Sequence, residues 1–153
     1  MADRDLLSGN PLGVISVPVP FNAVRAEHVE PAIDALIDAA LGRLEAIGAA
    51  PRTYEATLGA LDHMTSDLDF AMNVVGHLEA VDGTPEMRAA YNKILPKVSV
   101  LGSKIMLSEP LYRALRELSE TDEAKKLDPA RARFLAKTLA DFRGKEVLMP
   151  FRG

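Results

Sequence analysis

The sequence contains no cysteine. Disulfides, thiolate catalysis and sulfur-ligated zinc are therefore excluded together, and the composition suits a reducing compartment. No stretch approaches the roughly 18 uninterrupted apolar residues that a membrane span needs, so no membrane association is expected. The opening residues Met1 to Asp5 are charged and no apolar signal-like run follows them, which makes a cytoplasmic location the expectation.

Catalytic patterns are missing as well. A hydrolytic zinc helix needs His-Glu-x-x-His, because histidines four apart place two imidazoles on one face and the glutamate between them activates the bound water. The three histidines read His28-Val-Glu-Pro-Ala, His63-Met-Thr-Ser-Asp and His77-Leu-Glu-Ala-Val, so none is followed by glutamate and none recurs at the fourth place. A dimetal bundle wants glutamate three residues before histidine, but those positions hold Arg25, Ala60 and Val74. A non-standard site from His28, Glu30, His77 and Glu79 requires the first two helices to pack side by side, and surface or packing roles for these histidines are commoner.

No Gly-x-Ser-x-Gly elbow occurs, no serine has a paired base evident in sequence, and the glycines are scattered singly rather than gathered into a phosphate cradle. The carboxylate pairs Asp34 with Asp38 and Asp62 with Asp69 fall beside or opposite the apolar stripes, where water solvates them. No catalytic, cofactor-binding or metal-binding residue is assigned, and no cofactor is expected in this chain.

What is present is the material of a folded domain. The chain has 153 residues, 48% hydrophobic and 26% charged, with a net charge of -4. A chain of this length removes about 70% of its unfolded surface from water. Charge is unevenly spread: residues 125–153 hold eight Lys/Arg against three Asp/Glu, while the preceding 124 residues hold ten against nineteen. Few aromatics interleave with the basic residues, and Asp128, Asp141 and Glu146 interrupt them, which reads as a solvated helix face and not a nucleic-acid surface.

The periodicity is helical throughout. Asn10 to Asn22 carries Pro11, Pro18 and Pro20, so it reads as an extended arm whose Val14, Ile15, Val17, Val19 and Phe21 should lie across the helices. Val29, Ile33, Leu36, Ala40, Leu44 and Ile47 then form one stripe over residues 26–47, with Pro31 near the first turn and Gly48 and Pro51 ending the helix. Thr53 can cap a long second helix to about Val81 carrying Tyr54, Leu58, Leu61, Leu68, Met72, Val75 and Leu78.

Thr84-Pro85-Glu86 starts a third helix to about Leu107, with Met87, Tyr91, Ile94, Val98, Leu101 and Ile105 buried and Pro96 off the stripe, where it should bend the helix. A fourth begins at Ser108 and carries Leu111, Leu115 and Leu118. A fifth begins at Asp128 with Ala132, Leu135, Leu139 and Phe142 and stops at Gly144. The expected fold is all-α: an antiparallel bundle of about five helices, with residues 1–25 as the arm, 26–143 as the helical domain and 144–153 as a short tail.

Several segments together carry a family pattern: Asn10-Pro11-Leu12, Phe21, Ala26 to Ile33 (AEHVEPAI), the long run Val74 to Ser99 (VVGHLEAVDGTPEMRAAYNKILPKVS), and Leu111-Tyr112. In order and spacing they resemble the N-terminal region of the thimet oligopeptidase/oligopeptidase A family, over about Asn10 to Pro150. Asp141-Phe142-Arg143 is family-like, but Gly144-Lys145-Glu146 departs from the pattern.

The resemblance implies helices forming one wall of a channel that admits short peptides to a zinc site carried far downstream. None of the family's zinc ligands or catalytic residues maps onto a position here. It further implies a truncated or split zinc peptidase that is inactive alone, with exposed apolar surface for a homodimer or a complementary peptidase chain. A stand-alone protein- or peptide-interaction module is the alternative.

Overall fold

Periodic burial, not intrinsic propensity alone, decides where this chain is helical, and in the computed structural model the described residues form helices joined by short turns with no strand among them. The structure describes Leu7 and residues 9–148. The principal helices are α1 (Ala26–Ala49), α2 (Ala60–His63), α3 (Ser66–Asp82), α4 (Pro85–Met106), α5 (Glu109–Ser119), α6 (Asp122–Lys125) and α7 (Pro129–Leu148). The all-α expectation is met. Packing divides the chain into two compact units, one of Met1–Leu41 with Thr65–Leu101 and one of Gly42–Met64 with Gly102–Gly153, so α1 and α4 each contribute to both.

In the first unit, α1 presents the expected Val29, Ile33, Leu36 and Ala40, all buried. Each such side chain contributes about 1.5–3 kcal/mol by leaving water. α1 begins at Ala26 as expected, and Pro31, its sixth residue, lies just past the first turn. The Nδ1 of His28 accepts the Arg25 amide at 2.9 Å and fixes that start.

On α3 the buried face is Leu68, Ala71, Val74 and Val75, while Met72 and Leu78 are half-buried. The small Ala71 had no weight in a reading by large residues. Thr84 caps α4 as expected, its Oγ1 accepting the Met87 amide at 3.2 Å. Met87, Ile94 and Leu101 are the buried members of the α4 stripe.

The arm departs from expectation. Leu12 and Val24 are buried, but Val14, Ile15 and Val17 are 66%, 51% and 94% exposed. Anchoring is local: the Asn10 side-chain amide donates to the His28 carbonyl at 3.0 Å, and Phe21 packs its ring on His77 with centroids 4.9 Å apart. The three prolines limit which residues between these anchors can turn inward.

In the second unit, the long helix expected from Thr53 to Val81 is broken. Thr53 does cap its start, with Oγ1 accepting the Ala56 amide at 3.2 Å. The chain then widens, the Gly59 amide reaching five residues back to Tyr54 at 2.8 Å, a single wide turn whose buried Thr57 hydroxyl donates to the Thr53 carbonyl at 2.5 Å. After α2 the Met64 carbonyl is taken at 2.9 Å by the Arg43 guanidinium. A side chain inserted into the amide–carbonyl ladder in this way interrupts a helix, and α3 restarts at Ser66.

α5 starts on Ser108, whose Oγ accepts the Leu111 amide at 3.3 Å, and buries Leu111, Ala114, Leu115 and Leu118. Thr121 caps the unforeseen α6, accepting the Ala124 amide at 3.2 Å. Asp128 caps α7 as expected through the Arg131 amide at 2.9 Å.

Tyr112 stacks on Phe142 at 6.0 Å, placing the start of α5 beside the later part of α7, so the two run antiparallel. Leu135, Leu139 and Phe142 are buried, but Ala132 is exposed. α7 continues through Gly144 to Leu148. One glycine costs a helix only about 1 kcal/mol, so it does not stop a ladder whose neighbours are helical. Residues 149–153 of the expected tail lie outside the described residues.

Candidate functional site

The sequence leaves the histidine and carboxylate clusters to be settled by geometry, and each of these side chains has its own local setting. His28 is occupied at the start of α1, His77 is exposed against Phe21, and His63 is exposed at the end of α2 in the other unit. Glu79 pairs with Arg88 at 3.5 Å, and Glu30 is held by two lysines. Among the described residues no group of three or more His, Asp or Glu side chains could hold a metal ion. The donor set does not fit the zinc that the resemblance implies for complete members of the family.

Glu30 and Lys97 form the centre of the most developed polar cluster in the first unit. Glu30 receives Lys93 at 2.7 Å and Lys97 at 2.9 Å, and Lys97 also donates to Asp34 at 2.8 Å, so two carboxylates one turn apart on α1 are tied to α4. The hydrogen bonds from Lys93 and then Lys97 hold the Glu30 carboxyl below the usual carboxylate range against the opposing effect of burial. Asp34 and then Glu30 push the Lys97 ammonium above the usual lysine range. Both shifts move away from neutrality, the wrong direction for proton transfer near pH 7. The cluster fastens helices together.

In the second unit Arg52 plays the matching part. Its Nε donates to Glu117 and its Nη1 reaches the Gly48 and Ala50 carbonyls at 3.1 and 2.8 Å, closing the end of α1. The Arg52 hydrogen bond holds Glu117 below the usual carboxylate range. Of the remaining carboxylates considered, Asp38 and Asp62 are exposed and Asp69 accepts the Thr65 hydroxyl at 3.0 Å.

Each unit also carries an open cleft. In the first, about 460 Å³ is bounded by Phe21 and Val24 of the arm, His77 and Val81 of α3, and Thr84 and Met87 at the start of α4. In the second, about 360 Å³ runs along α7 over Leu135 and Leu139, with Lys125 and Arg143 among its lining residues. The sequence pointed to neither: the lining of each comes from separated segments, and Lys125 and Arg143 read only as members of a basic stretch.

These features define an all-helical domain with an open cleft in each unit and, among its described residues, no group of three or more metal-ligating side chains. The chain belongs to the neurolysin/thimet oligopeptidase N-terminal domain family, whose sequence profile matches residues 32–149. It is 32% identical over 136 residues to the probable cytosolic oligopeptidase A of Arabidopsis thaliana, covering 88% of this chain and 19% of the plant protein. It is 30% identical over 133 residues to oligopeptidase A of Escherichia coli, covering 86% of this chain and 20% of the bacterial protein. Against the organellar oligopeptidase A of Arabidopsis thaliana, chloroplastic/mitochondrial by name, identity is 30% over 132 residues, covering 86% and 17% respectively. The chain thus spans about a fifth of the length of these relatives.

Proposed function

We propose that this chain is a non-catalytic helical part of a zinc-dependent oligopeptidase of the oligopeptidase A type, contributing a wall of the channel through which short peptides reach a zinc site held by other residues. The observation that carries the reading is the family match over residues 32–149. Membership supports the architecture, and among the described residues no group of three or more His, Asp or Glu side chains could hold the metal. In this reading the chain binds no zinc and cleaves no peptide by itself. Its partner is a complementary peptidase chain or a second copy, engaged through exposed apolar residues such as Val14, Ile15, Val17 and Val81.

The location that goes with this reading is the cytoplasm, supported by the cytosolic name of one plant relative. No described helix is long and apolar enough to cross a membrane. The exposed arm and the two clefts favour a second reading, a stand-alone protein- or peptide-interaction module.

Metal analysis of the purified chain dialysed against zinc, together with a cleavage assay on short peptides, tests the first reading. The expected results are substoichiometric zinc and no turnover. One zinc per chain with chelator-sensitive cleavage refutes it. High-affinity peptide capture by the isolated chain, without turnover, favours the second.

A further inference from the structure

Aspartate followed by glycine is the dipeptide at which an aspartate carboxyl is most open to attack by its own backbone, because the glycine brings no Cβ to hinder the approach. This chain has one such pair, Asp82-Gly83, and no Asn-Gly. Every other aspartate is followed by a residue that carries a Cβ. Asp34, Asp69, Asp122 and Asp128 are also held, by Lys97, the Thr65 hydroxyl, Lys125 and the Arg131 amide respectively.

The fold leaves this pair open. Asp82 is the last residue of α3, where helices fray, and its exposed carboxylate has no hydrogen-bond or ion-pair partner among the described residues. Gly83 follows in an inverse γ-turn (φ −42°, ψ 63°), in which the Thr84 amide donates to the Asp82 carbonyl. That bond draws electron density from the Asp82-Gly83 peptide group, which makes its N–H more acidic. Packing keeps the glycine in place: a Cβ there would fall 2.7 Å from the Glu79 carbonyl oxygen and 3.0 Å from the Arg88 Nη2.

We propose that Asp82-Gly83 is a site of spontaneous isoaspartate formation in the folded chain. The Gly83 nitrogen attacks the Asp82 Cγ. A C–N bond forms while the carboxyl loses its hydroxyl and the amide its proton, which leave together as one water. Water then opens the five-membered succinimide. Addition at Cγ restores aspartate. Addition at the main-chain carbonyl carbon breaks its bond to the Gly83 nitrogen, so the chain continues through the side chain and a free α-carboxylate remains. The net mass is unchanged, and water is the only co-reactant.

The product lengthens the backbone between α3 and α4 by one methylene and turns the carbonyl that accepted the Thr84 amide into part of a carboxylate. Only Gly83 separates the end of α3 from Thr84, whose hydroxyl caps α4 at the Met87 amide, so no loop absorbs the added length. Asp82, Thr84 and Met87 also line the cleft of the first unit, which the change reshapes. The modification belongs to this chain whichever of the two functional readings holds.

The test incubates the full folded chain in mildly acidic buffer at physiological temperature. Peptide mapping by mass spectrometry locates isoaspartate, and a protein isoaspartate methyltransferase with labelled S-adenosylmethionine counts it. Isoaspartate should accumulate at Asp82, preceded by a species lighter by one water, while the other aspartates stay at background. Asp82→Glu keeps the exposed charge but needs a six-membered ring, so it should abolish the signal without altering the fold. The aged fraction, separated chromatographically, should melt below the fresh chain. No isoaspartate at Asp82, equal amounts at the other aspartates, or formation only in urea-unfolded chain each overturns the assignment. An aged fraction with the melting curve of the fresh chain overturns the loosening of the α3–α4 junction.

Discussion

Two glycines of α1, six residues apart, offer the same substitution in opposite surroundings. A methyl group added at Gly42 meets nothing within 4 Å, whereas one added at Gly48 falls 2.9 Å from the Cβ of Pro110, a ring atom at the start of α5 that cannot swing aside. Alanine is the better helix former by about 1 kcal/mol, so Gly42→Ala should raise stability by up to that amount. Gly48→Ala gains the same propensity but forces the α1 end and α5 apart. Overpacking of this kind costs about 1–3 kcal/mol, leaving a net effect between neutral and about 2 kcal/mol destabilising.

The difference between the two variants isolates the steric part, because propensity cancels. Both residues belong to the second unit, so the comparison holds even if the units melt separately. For a chain of this size the gap corresponds to roughly 2–12 °C between their melting temperatures. Urea titration and thermal melting by circular dichroism measure it. Equal shifts for the two variants, or a larger loss at Gly42, would refute the close approach of Gly48 to Pro110.

Truncating Ile94, fully buried on α4, to alanine should cost about 2–5 kcal/mol, read as a lower urea midpoint. Ser108→Ala removes the hydroxyl that accepts the Leu111 amide and should cost about 1 kcal/mol in the same assay, with little loss for Ser108→Asp. Because Glu30 is held below its ordinary range, its ion pairs stabilise the fold fully above that range, and the contribution is lost as pH falls through the lowered folded value. The stability advantage of the natural chain over Glu30→Gln should therefore shrink on acidification, and an advantage independent of pH would count against the pairing. Lys97 acts in the other direction: its contribution is complete below the ordinary lysine range and disappears as pH rises through the raised folded value, which a Lys97→Met comparison at alkaline pH will show.

Sequence alone determined what local chemistry can specify. The α1 stripe from Val29 to Ile47 is buried as its spacing requires, and the caps at Thr53, Thr84, Ser108 and Asp128 all form, because a cap involves only residues three apart and a stripe involves one helix. The family pattern in Val74 to Ser99 was legible for the same reason, being contiguous.

Contacts between distant residues were decided only in three dimensions. Arg43 takes the Met64 carbonyl and breaks a helix that periodicity ran through, and Val14, Ile15 and Val17 of the arm stay in water between the anchors at Asn10, Leu12 and Phe21. Lys97 gathers Glu30 and Asp34, and Lys125 and Arg143 come to line one groove, although each reads in sequence as one more solvated charge. Periodicity records which side of a helix turns inward, but not which partner meets it there, since that depends on the packing of chain segments far apart in sequence.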